Sequence, residues 1–273
     1  MQIDNNTVKA VFYFFETNKI VRIANSLFFS VIMNMVIIML KFFRKLLLLI
    51  ISFVLLVVIG FCGVGYWNYK NCIEDIPIQE KVNQIQAVNH YTPLDKVSNY
   101  YKDAIVAIED HRFYSHHGID YVALVRVTIA NIAAQEILAG GSTITQQLAK
   151  NMYFDQSHSM TRKISEAFVA HELEKHYDKN EILELYINSI YYGDGYYGIY
   201  DASMGYFGVD PLHLTLAQAS MLAGLPQAPS AYALSTSYEV AARRQVEVLN
   251  AMLEYGYINK EQYMAALAID LRE

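Results

Sequence analysis

The sequence predicts a mainly α-helical domain that follows an apolar helix long enough to cross a membrane. Two observations lead to this prediction. Residues 46–67 contain no charge over 22 positions, and residues 91–273 show apolar side chains at helical spacing between repeated capping signals. No run of alternating strand residues interrupts that pattern. A chain of 273 residues has room for one domain of ordinary size in addition to the membrane anchor.

The apolar run from Leu46 to Trp67 is the candidate membrane span. At 1.5 Å per residue, its 22 residues cover the roughly 30 Å of hydrocarbon in a bilayer. Lys41, Arg44 and Lys45 precede the run, and positive residues favour the cytoplasmic side. The sequence therefore predicts a single-pass protein of the cytoplasmic (inner) membrane whose domain is extracytoplasmic. A signal peptide is the competing interpretation, but the run is long and no small-residue cleavage site stands out.

Residues 1–45 are predicted to be a cytoplasmic N-terminal segment that contains a further apolar run. Residues 23–40 carry no charge over 18 positions. This run could be a second span, an interfacial helix or translated upstream sequence, and the sequence leaves all three open. If both runs cross the membrane, the short basic connector remains cytoplasmic and the domain still faces outward. Residues 68–90 are mostly polar and are predicted to form a stalk.

Composition limits the classes of partner. The net charge is −6, so no overall basic field favours nucleic acid. The two cysteines, Cys62 and Cys72, have neither a metal-binding spacing nor the pattern of a disulfide framework.

Capping signals divide residues 91–273 into successive helices. Ser98 and Asp120 are predicted N-caps, and Thr161 is predicted to precede another helix. Gly256 is a predicted C-terminal stop. Further N-termini are predicted where Glu or Gln follows a capping residue by three positions. These pairs are Asp178 with Glu181, Thr215 with Gln218, Thr236 with Glu239, and Asn259 with Gln262.

The segment GGSTITQQLAKN, residues 140–151, concentrates hydroxyl and amide side chains behind two glycines. Only Ile144 and Leu148 fit a buried helical face. A helix that begins near Ser142 or Thr145 would present free N–H groups, and with Lys150 nearby these suit a phosphate. On composition alone, a polar loop with a helix cap explains the segment equally well.

Two other segments carry groups suited to catalysis. Glu109 ends an apolar helix in EDHRFYSHHG, with no basic residue before Arg112. Partial desolvation there would raise the pKa of its carboxyl group and favour general-base work, although a surface ion pair is commoner for an arbitrary Glu. Arg162, Lys163 and Glu166 lie within about one helical turn, and an ordinary ion pair between Arg162 and Glu166 is the alternative.

The remaining polar segments have weaker functional interpretations. Residues 191–198, YYGDGYYG, form a Gly/Tyr loop that could face a sugar or simply pack at the surface. Adjacent His116 and His117 point to different sides of an element, so an orienting role for His116 is preferred over metal binding. Glu184, in ILELYIN, is expected to be structural.

Together these segments resemble the signatures of the peptidoglycan glycosyltransferases, glycosyltransferase family 51. EDHRFYSHHG matches the fixed positions of the first signature, and GGSTITQQLAKN, RKISE and ILELYIN resemble the second, third and fourth. The resemblance covers about residues 95–253 in the order of the family, which includes monofunctional transglycosylases and the N-terminal domains of class A penicillin-binding proteins. Two departures reduce local positive charge: Ser165 stands where many relatives have Lys, and His158 lies where relatives often carry Arg.

The resemblance implies a lysozyme-like glycosyltransferase domain with a smaller membrane-apposed lobe. It implies polymerisation of lipid II into β-1,4-linked strands, with release of undecaprenyl pyrophosphate, in cell wall biosynthesis. Glu109 and Glu166 would be catalytic. The residues expected to bind substrate are Asp110, Ser142, Thr143, Gln146, Gln147, Lys150, Asn151, Arg162 and Lys163. No cofactor is required by the sequence, although a divalent cation (Mg²⁺ or Mn²⁺) could assist at the pyrophosphate.

Expected partners are lipid II, the growing glycan strand, the bilayer and other cell-wall synthesis proteins. An apolar surface is expected beside the cleft, because the substrate carries a long lipid. A muramidase or lytic transglycosylase remains an alternative that needs no phosphate-binding lysine. The other alternative is a catalytically silent membrane-anchored scaffold. The presence of Glu109, Glu166 and Lys150 argues against it. Since the sequence ends at Glu273 without room for a transpeptidase domain, a monofunctional enzyme is expected unless the chain is a fragment.

Overall fold

The computed structural model describes residues 5–134, 140–155 and 159–272. Over these residues the chain forms helices, and β structure is limited to two isolated bridges, His117 with Ile119 and Tyr191 with Tyr197. The predicted mainly α class is therefore confirmed. The helices are α1 (Asn5–Asp75), α2 (Ile78–Gln86), α3 (Asn99–Glu109), α4 (Tyr121–Ala134), α5 (Ile144–Tyr153), α6 (Met160–His176), α7 (Lys179–Ser189), α8 (Ile199–Phe207), α9 (Leu216–Gly224), α10 (Pro229–Tyr232), α11 (Tyr238–Glu254) and α12 (Lys260–Leu267). Short 3₁₀ helices occupy Leu94–Lys96, Phe113–Ser115, Pro211–His213 and Leu225–Gln227.

The chain divides into two units, residues 1–60 and residues 61–273. In the first unit, residues 5–60 are helical, and large apolar side chains such as Leu49 and Leu56 are 66% and 68% exposed. Among the described residues, one helix, Tyr13–Asp75, is long and apolar enough to cross a membrane. It contains the predicted span, residues 46–67, and so supports membrane anchoring. The apolar run at residues 23–40 lies in the same helix, and its separate role stays a prediction.

Two groups of helices form the core of residues 61–273. α3 packs against α9 and α11, while α5 packs against α6 and α7. Ile105 of α3, Leu148 of α5 and Leu183 of α7 are fully buried. Burial of each such side chain stabilises the fold by about 1.5–3 kcal/mol. These two groups of helices supply the polar side chains of the candidate site.

Capping boxes begin four helices, and the sequence predicts three of them. In each box the cap side chain accepts a hydrogen bond from the third helical amide, and the Glu or Gln there accepts one from the cap amide. The predicted boxes are Asp178 with Glu181 (α7), Thr215 with Gln218 (α9) and Asn259 with Gln262 (α12), and the additional box is Thr143 with Gln146 (α5). Asp120 caps α4 as predicted, with Oδ1 accepting from the amides of Val122 and Ala123 at 2.9 and 3.0 Å. Gly256 follows the end of α11 with φ of 78°, as expected for a stop.

Two predicted caps are wrong by one or two residues. α11 is capped by Ser237 rather than Thr236, and α6 is capped by Ser159 rather than Thr161. In both places hydroxyl residues are close together, and packing outside the local pattern decides which one adopts the extended backbone of a cap. Ser98 does precede α3, but its hydroxyl donates to the carbonyl oxygen of Leu214 at 3.0 Å instead of capping the helix.

The segment predicted as a stalk, residues 68–90, is packed on the domain. α1 continues to Asp75, and α2 follows after a short turn. Ile78 and Val82 of α2 are 7% and 1% exposed and belong to the main apolar core. The stalk prediction was wrong because the many polar residues occupy the outer face of α2. The two buried residues, four positions apart, already had the spacing of a packed helix.

α4 presents an apolar surface to solvent. None of its side chains is buried, and Tyr121, Val125, Ile129 and Ile132 are between 59% and 71% exposed. Contiguous apolar surface of this kind usually marks a site that binds a protein, a ligand or a membrane. This face is called the α4 surface below, and its position beside the bilayer stays a prediction.

Candidate active site

Glu109 lies at the C-terminal end of α3, whose Tyr101 and Ile105 are buried in the core. Its side chain is 11% exposed. Oε2 accepts a hydrogen bond from Gln147 Nε2 at 2.6 Å. Oε1 is buried and has no hydrogen-bond partner in the described parts of the chain. One oxygen is therefore held by Gln147, and the other is buried without a hydrogen-bond donor.

Tyr186 sets the orientation of Gln147. The hydroxyl of Tyr186 donates to Gln147 Oε1 at 3.0 Å, and Tyr186 is fully buried in α7. Because the carbonyl end of the amide receives this bond, its NH₂ group faces Glu109. The sequence analysis missed this role of Tyr186. A tyrosine within an apolar helix gives no sign of a partner 39 positions away.

Arg244 of α11 is a second functional neighbour that the sequence analysis missed. Its NH2 atom lies 3.8 Å from Glu109 Oε1, and its side chain is 9% exposed. Its NH1 atom donates to Glu247 Oε2 at 2.6 Å, and its Nε atom donates to the carbonyl oxygen of Gly224 at 3.4 Å. No basic residue stands between Glu109 and Arg112 in the sequence, but the packing of α3 against α11 brings this distant arginine close to Glu109.

The pKa of Glu109 is raised above the ordinary value for a glutamate. Burial is the largest cause because it removes water from the charged carboxylate, and Asp110 adds repulsion. The hydrogen bond from Gln147 and the charges of Arg244 and Lys150 act in the opposite direction. A carboxylate with a raised pKa and one oxygen without a hydrogen-bond donor is suited to general-base catalysis.

Asp110 connects the end of α3 to the start of α5. Its Oδ2 atom lies 2.9 Å from His116 Nε2 and accepts a hydrogen bond from the amide of Ile144 at 3.1 Å. The side chains of Asp110 and His116 are 4% and 5% exposed. These contacts agree with the orienting role expected of His116. They also give Asp110 structural partners inside the protein, whereas the sequence analysis expects it to contact substrate.

Thr143 and Gln146 are likewise engaged at the start of α5. Thr143 Oγ1 donates to the carbonyl oxygen of Gly118 at 2.6 Å and accepts from the amide of Gln146 at 3.1 Å. Gln146 Oε1 accepts from the amide of Thr143 at 3.1 Å. Ser142 and Asn151, the other expected contacts on this segment, line cavities described below.

Glu166 lies between two cations of α6, and this group is called the cation turn. Its Oε1 atom is 3.0 Å from Arg162 Nε, and its Oε2 atom is 2.7 Å from Lys163 Nζ. Glu166 is fully buried, and Arg162 also donates from NH1 to the carbonyl oxygen of Asp155 at 2.9 Å. The pairs have ordinary helical spacing, but the buried carboxylate fixes the positions of both cations. Two cations and one carboxylate leave the cation turn with a net charge of +1.

Lys150 of α5 lies within electrostatic range of both Glu109 and the cation turn. Its pKa is lowered chiefly because burial disfavours the ammonium. Glu166 and Glu109 favour the charged form, whereas Arg162 and Lys163 disfavour it. Within the described ranges, no hydrogen bond or ion pair engages its ammonium. A partly desolvated cation without a protein partner is suited to an anionic group that carries developing charge.

A polar cavity of about 530 Å³ adjoins these groups. Its walls include Gln147, Lys150 and Asn151 of the α5 region and the rings of Tyr191 and Tyr197. The ring centroids of these tyrosines are 4.7 Å apart in the Gly/Tyr loop. Within that loop, a Cβ at Gly193 would lie 2.6 Å from the carbonyl oxygen of Pro229, so only glycine fits there. Amides, aromatic rings and a cation form a wall suited to a polar sugar.

A second cavity, of about 560 Å³, has mainly apolar walls. α4 contributes Tyr121 and Leu124, and α6 contributes Met160, Ile164 and Phe168. Its polar lining includes Ser142, Gln146 and Lys163. This cavity therefore connects the α4 surface with the cation turn, and it is suited to a ligand that has both an apolar and an anionic part.

The cation turn does not offer the ligands of a protein-held divalent metal. Its carboxylate, Glu166, already has each oxygen paired with a cation. A second group, Asp110, His116 and Asp120, has potential ligand atoms within 4.8 Å of one another. There Asp110 is bonded to His116, and Asp120 Oδ2 lies 3.0 Å from Arg112 Nε. These contacts describe a buried ion-pair network that fixes the start of α4 and α5.

Glu184 and Asn188 hold the chain that precedes α3. Glu184 accepts from the hydroxyl of Tyr91 at 2.6 Å and from the amide of Leu94 at 2.7 Å. Asn188 exchanges hydrogen bonds of 2.8 Å with the backbone of Thr92. The structural role expected of Glu184 agrees with these contacts. Of the two departures noted in the sequence, Ser165 is buried in α6, and position 158 lies outside the described residues.

The domain thus combines a buried carboxylate, Glu109, with a partly desolvated Lys150 and the paired cations of the cation turn. Comparison with known proteins identifies the class of protein. Residues 78–253 match the transglycosylase family. The chain is 44% identical over 197 residues to a Cupriavidus necator protein described as a transglycosylase, which covers 72% of this chain and 85% of that protein.

Two other relatives differ from each other in how much of their length this chain matches. The monofunctional glycosyltransferase of Staphylococcus aureus is 38% identical over 196 residues, covering 69% of this chain and 72% of that protein. Penicillin-binding protein 1A of Aquifex aeolicus is 46% identical over 177 residues, covering 65% of this chain and 24% of that protein. The chain belongs to the transglycosylase family. It is a peptidoglycan glycosyltransferase of cell-wall synthesis.

Proposed function

We propose that the chain polymerises lipid II into β-1,4-linked glycan strands and releases undecaprenyl pyrophosphate, with Glu109 as the general base. The observation that carries this proposal is the state of the Glu109 carboxylate. Oε2 is fixed by Gln147, Oε1 has no hydrogen-bond donor in the described parts of the chain, and burial raises the pKa of the group. An acceptor hydroxyl within hydrogen-bond reach of Oε1 could transfer its proton there as the new bond forms.

The reaction is a displacement with inversion at the anomeric carbon of the donor. The acceptor 4-hydroxyl gives its proton to Glu109, and its oxygen forms the new bond to C1. The bond between C1 and the pyrophosphate oxygen breaks, and its electron pair leaves with the pyrophosphate. Lys150 is placed to stabilise the charge that develops on the leaving group, because its ammonium is partly desolvated and has no partner among the described residues.

The cation turn is proposed to hold the pyrophosphate of the donor, with Glu166 acting by fixing Arg162 and Lys163. A divalent ion that accompanies the substrate would be bound by pyrophosphate oxygens. Gln147 is proposed to position the base as well as to line the sugar site. Ser142, Asn151, Tyr191 and Tyr197 are proposed to contact sugar or phosphate, because they line the two cavities.

The α4 surface is proposed to face the bilayer and to guide the lipid of the substrate into the apolar cavity. Its exposed residues are apolar, and Leu124 lines the cavity that also contains Lys163. Residues 46–67 would span the membrane, and residues 91–273 would lie on the extracytoplasmic side. A reporter that is active only outside the cytoplasm, fused after residue 273, tests the sidedness. Activity of a cytoplasmic reporter at the same position would contradict it.

Incubation of the purified full-length chain with labelled lipid II tests the reaction. We expect a ladder of glycan polymers that a muramidase digests. Cleavage of finished glycan, with no polymer formed, would instead support a lytic enzyme. Absence of both activities in a folded preparation would support a silent scaffold. Glu109→Gln is the matched control for contaminating polymerase, because it should form no ladder.

A further inference from the structure

The end of the membrane helix makes a close contact with α6, within the unit formed by residues 61–273. A Cβ atom placed on Gly65 would lie 2.5 Å from Ile164 Cγ2 and 2.8 Å from Ile164 Cβ. Ser165 Oγ donates to the carbonyl oxygen of Gly65 at 2.9 Å and also lies 2.9 Å from the carbonyl oxygen of Thr161. Ser165 is fully buried. The two helices can approach this closely only because one residue lacks a side chain and the other is small.

Aromatic residues extend the contact along α6. The ring of Phe168 packs edge-on against Tyr66 and stacks with Tyr69, at centroid distances of 5.4 and 5.7 Å. The hydroxyl of Tyr69 donates to Glu172 Oε2 at 3.2 Å. The contact therefore continues from Thr161 to Glu172, about three helical turns, and fixes the rotation and height of α6 against residues 65–69.

The same part of α6 carries the cation turn. Ser165 directly precedes Glu166, and both side chains are fully buried. Ile164, which meets Gly65, follows Lys163 directly and lines the apolar cavity. A change at Gly65 or Ser165 that displaces the backbone of α6 would therefore also displace Lys163 and Arg162 in the same turn. Neither residue has a charged group of its own that could bind an anion.

We propose that Gly65 and Ser165 are positioning residues of the donor-phosphate site, and that the end of the membrane helix is a structural part of that site. The pair acts through α6 by setting where Arg162 and Lys163 meet the pyrophosphate. The proposal rests on the proposed function of the cation turn. It assigns to the membrane helix a role in donor binding that is separate from anchoring.

The chain offers matched variants for a test. Gly65→Val forces a branched side chain into Ile164, whereas Ser165→Ala removes the hydroxyl without adding volume. Gly63→Ala is the control, because nothing lies within 4 Å of a Cβ at Gly63 on the same helix. Trp67, the only tryptophan of the sequence, is 64% exposed two residues after Gly65, and a displacement of the helix would change its surroundings.

The experiment measures the affinity of the full-length chain in detergent micelles for a polyprenyl pyrophosphate without sugars, together with KM and kcat for lipid II. We expect Gly65→Val to weaken pyrophosphate binding and raise KM at least tenfold, and Ser165→Ala to do so several-fold. Both should change the emission of Trp67, and Gly63→Ala should resemble the unmodified chain. A purely structural role would lower only the fraction of active enzyme, which reduces the apparent kcat and leaves KM and the pyrophosphate affinity unchanged.

Arg162→Gln and Lys163→Gln separate the failure of this inference from the failure of the proposed function. If these two variants bind pyrophosphate poorly while Gly65→Val and Ser165→Ala bind it normally, the positioning role is overturned and the cation turn is retained. If Arg162→Gln and Lys163→Gln also bind it normally, the phosphate site itself is misassigned. A Tm of Gly65→Val equal to that of Gly63→Ala would overturn the helix contact, because a side chain forced into Ile164 must cost stability.

Discussion

Arg244 NH2 lies 3.8 Å from Glu109 Oε1, which is too far for a hydrogen bond and close enough for one charge to act on the other. A closer pair would occupy the oxygen that must accept a proton and would hold the carboxylate ionised. Burial and Asp110 raise the pKa of Glu109, and Arg244 lowers it. Without the arginine, the pKa of Glu109 would therefore be higher still. The separation keeps Glu109 ionisable and leaves Oε1 without a hydrogen bond, and a general base needs both properties.

Replacing Arg244 with Gln is expected to move the acidic limb of the pH–rate profile to higher pH. Arg244 lowers the pKa of Glu109, so its removal raises that pKa further and a smaller fraction of the base is ionised at a given pH. The rate should fall more at pH 6 than at pH 8. The profile of kcat/KM for lipid II measures this shift. Arg243→Gln is the control, since Arg243 is the exposed neighbour on the same helix, and an equal shift in both variants would argue against a specific pair.

Tyr186→Phe is expected to lower kcat by about fivefold, with little change in KM. The variant removes the hydrogen bond that orients Gln147, and one such bond contributes about 1 kcal/mol. The amide could then turn its oxygen toward Glu109. Tyr263→Phe is a suitable control because it loses a comparable hydrogen bond, to Asn250 Oδ1 at 2.9 Å, in another part of the domain. Equal activity of Tyr186→Phe and the unmodified chain would exclude the orienting role.

Lys150 is expected to determine the alkaline limb of activity. Burial lowers the pKa of its ammonium, so the positive charge is lost at a lower pH than the ordinary value of about 10.4. Lys150→Arg should extend activity to higher pH, because a guanidinium stays charged. Lys150→Met should reduce kcat by about 10²-fold or more, as expected for loss of a charge-stabilising group. Lys260→Met, which changes an exposed residue of α12, should leave kcat unchanged. If the alkaline limb of Lys150→Arg is identical to that of the unmodified chain, the limb belongs to another group.

Glu109→Gln is expected to stabilise the fold at neutral pH. Burial raises the folded-state pKa of Glu109, so the folded protein holds this proton more tightly than the unfolded chain. The ionised group therefore destabilises the fold increasingly as pH rises from about 4.3, the ordinary value, through the raised pKa. Calorimetry in detergent should give a higher Tm for the variant at pH 7.5 and a smaller difference near pH 4. Glu254→Gln, an exposed control, should show neither effect, and a lower Tm for Glu109→Gln at pH 7.5 would contradict the desolvation of Glu109.

Local patterns were sufficient to predict several helix starts, because a cap and its partner lie three residues apart. Asp178 with Glu181 and Asn259 with Gln262 illustrate this rule. The same reasoning placed the caps of α11 and α6 at Thr236 and Thr161, one or two residues away from the observed caps. Ser237 and Ser159 cap these helices, because neighbouring hydroxyl residues compete for the position. The sequence also indicated a stalk where α2 packs on the domain. Ile78 and Val82 stand among many polar residues, and two apolar residues alone are a weak indication of burial.

Within the site, the sequence indicated the groups with local signatures but missed those that arrive by packing. Glu109 and the residues of the cation turn stand in recognisable segments, whereas Arg244 and Tyr186 meet their partners only when helices pack together. The sequence left open whether the hydroxyl and amide groups of residues 140–151 cap a helix or bind a ligand, and Thr143 and Gln146 form a capping box. Their predicted contact with substrate stays a prediction.

The most direct test of the central claim compares lipid II polymerisation with donor binding in Glu109→Gln. The variant keeps the size of the side chain and its contact with Gln147 but removes the basic oxygen. We predict a loss of polymerisation of at least about 10²-fold, the usual contribution of a general base, with unchanged affinity for a polyprenyl pyrophosphate. Near-normal polymerisation by Glu109→Gln would contradict the assignment of Glu109 as the base.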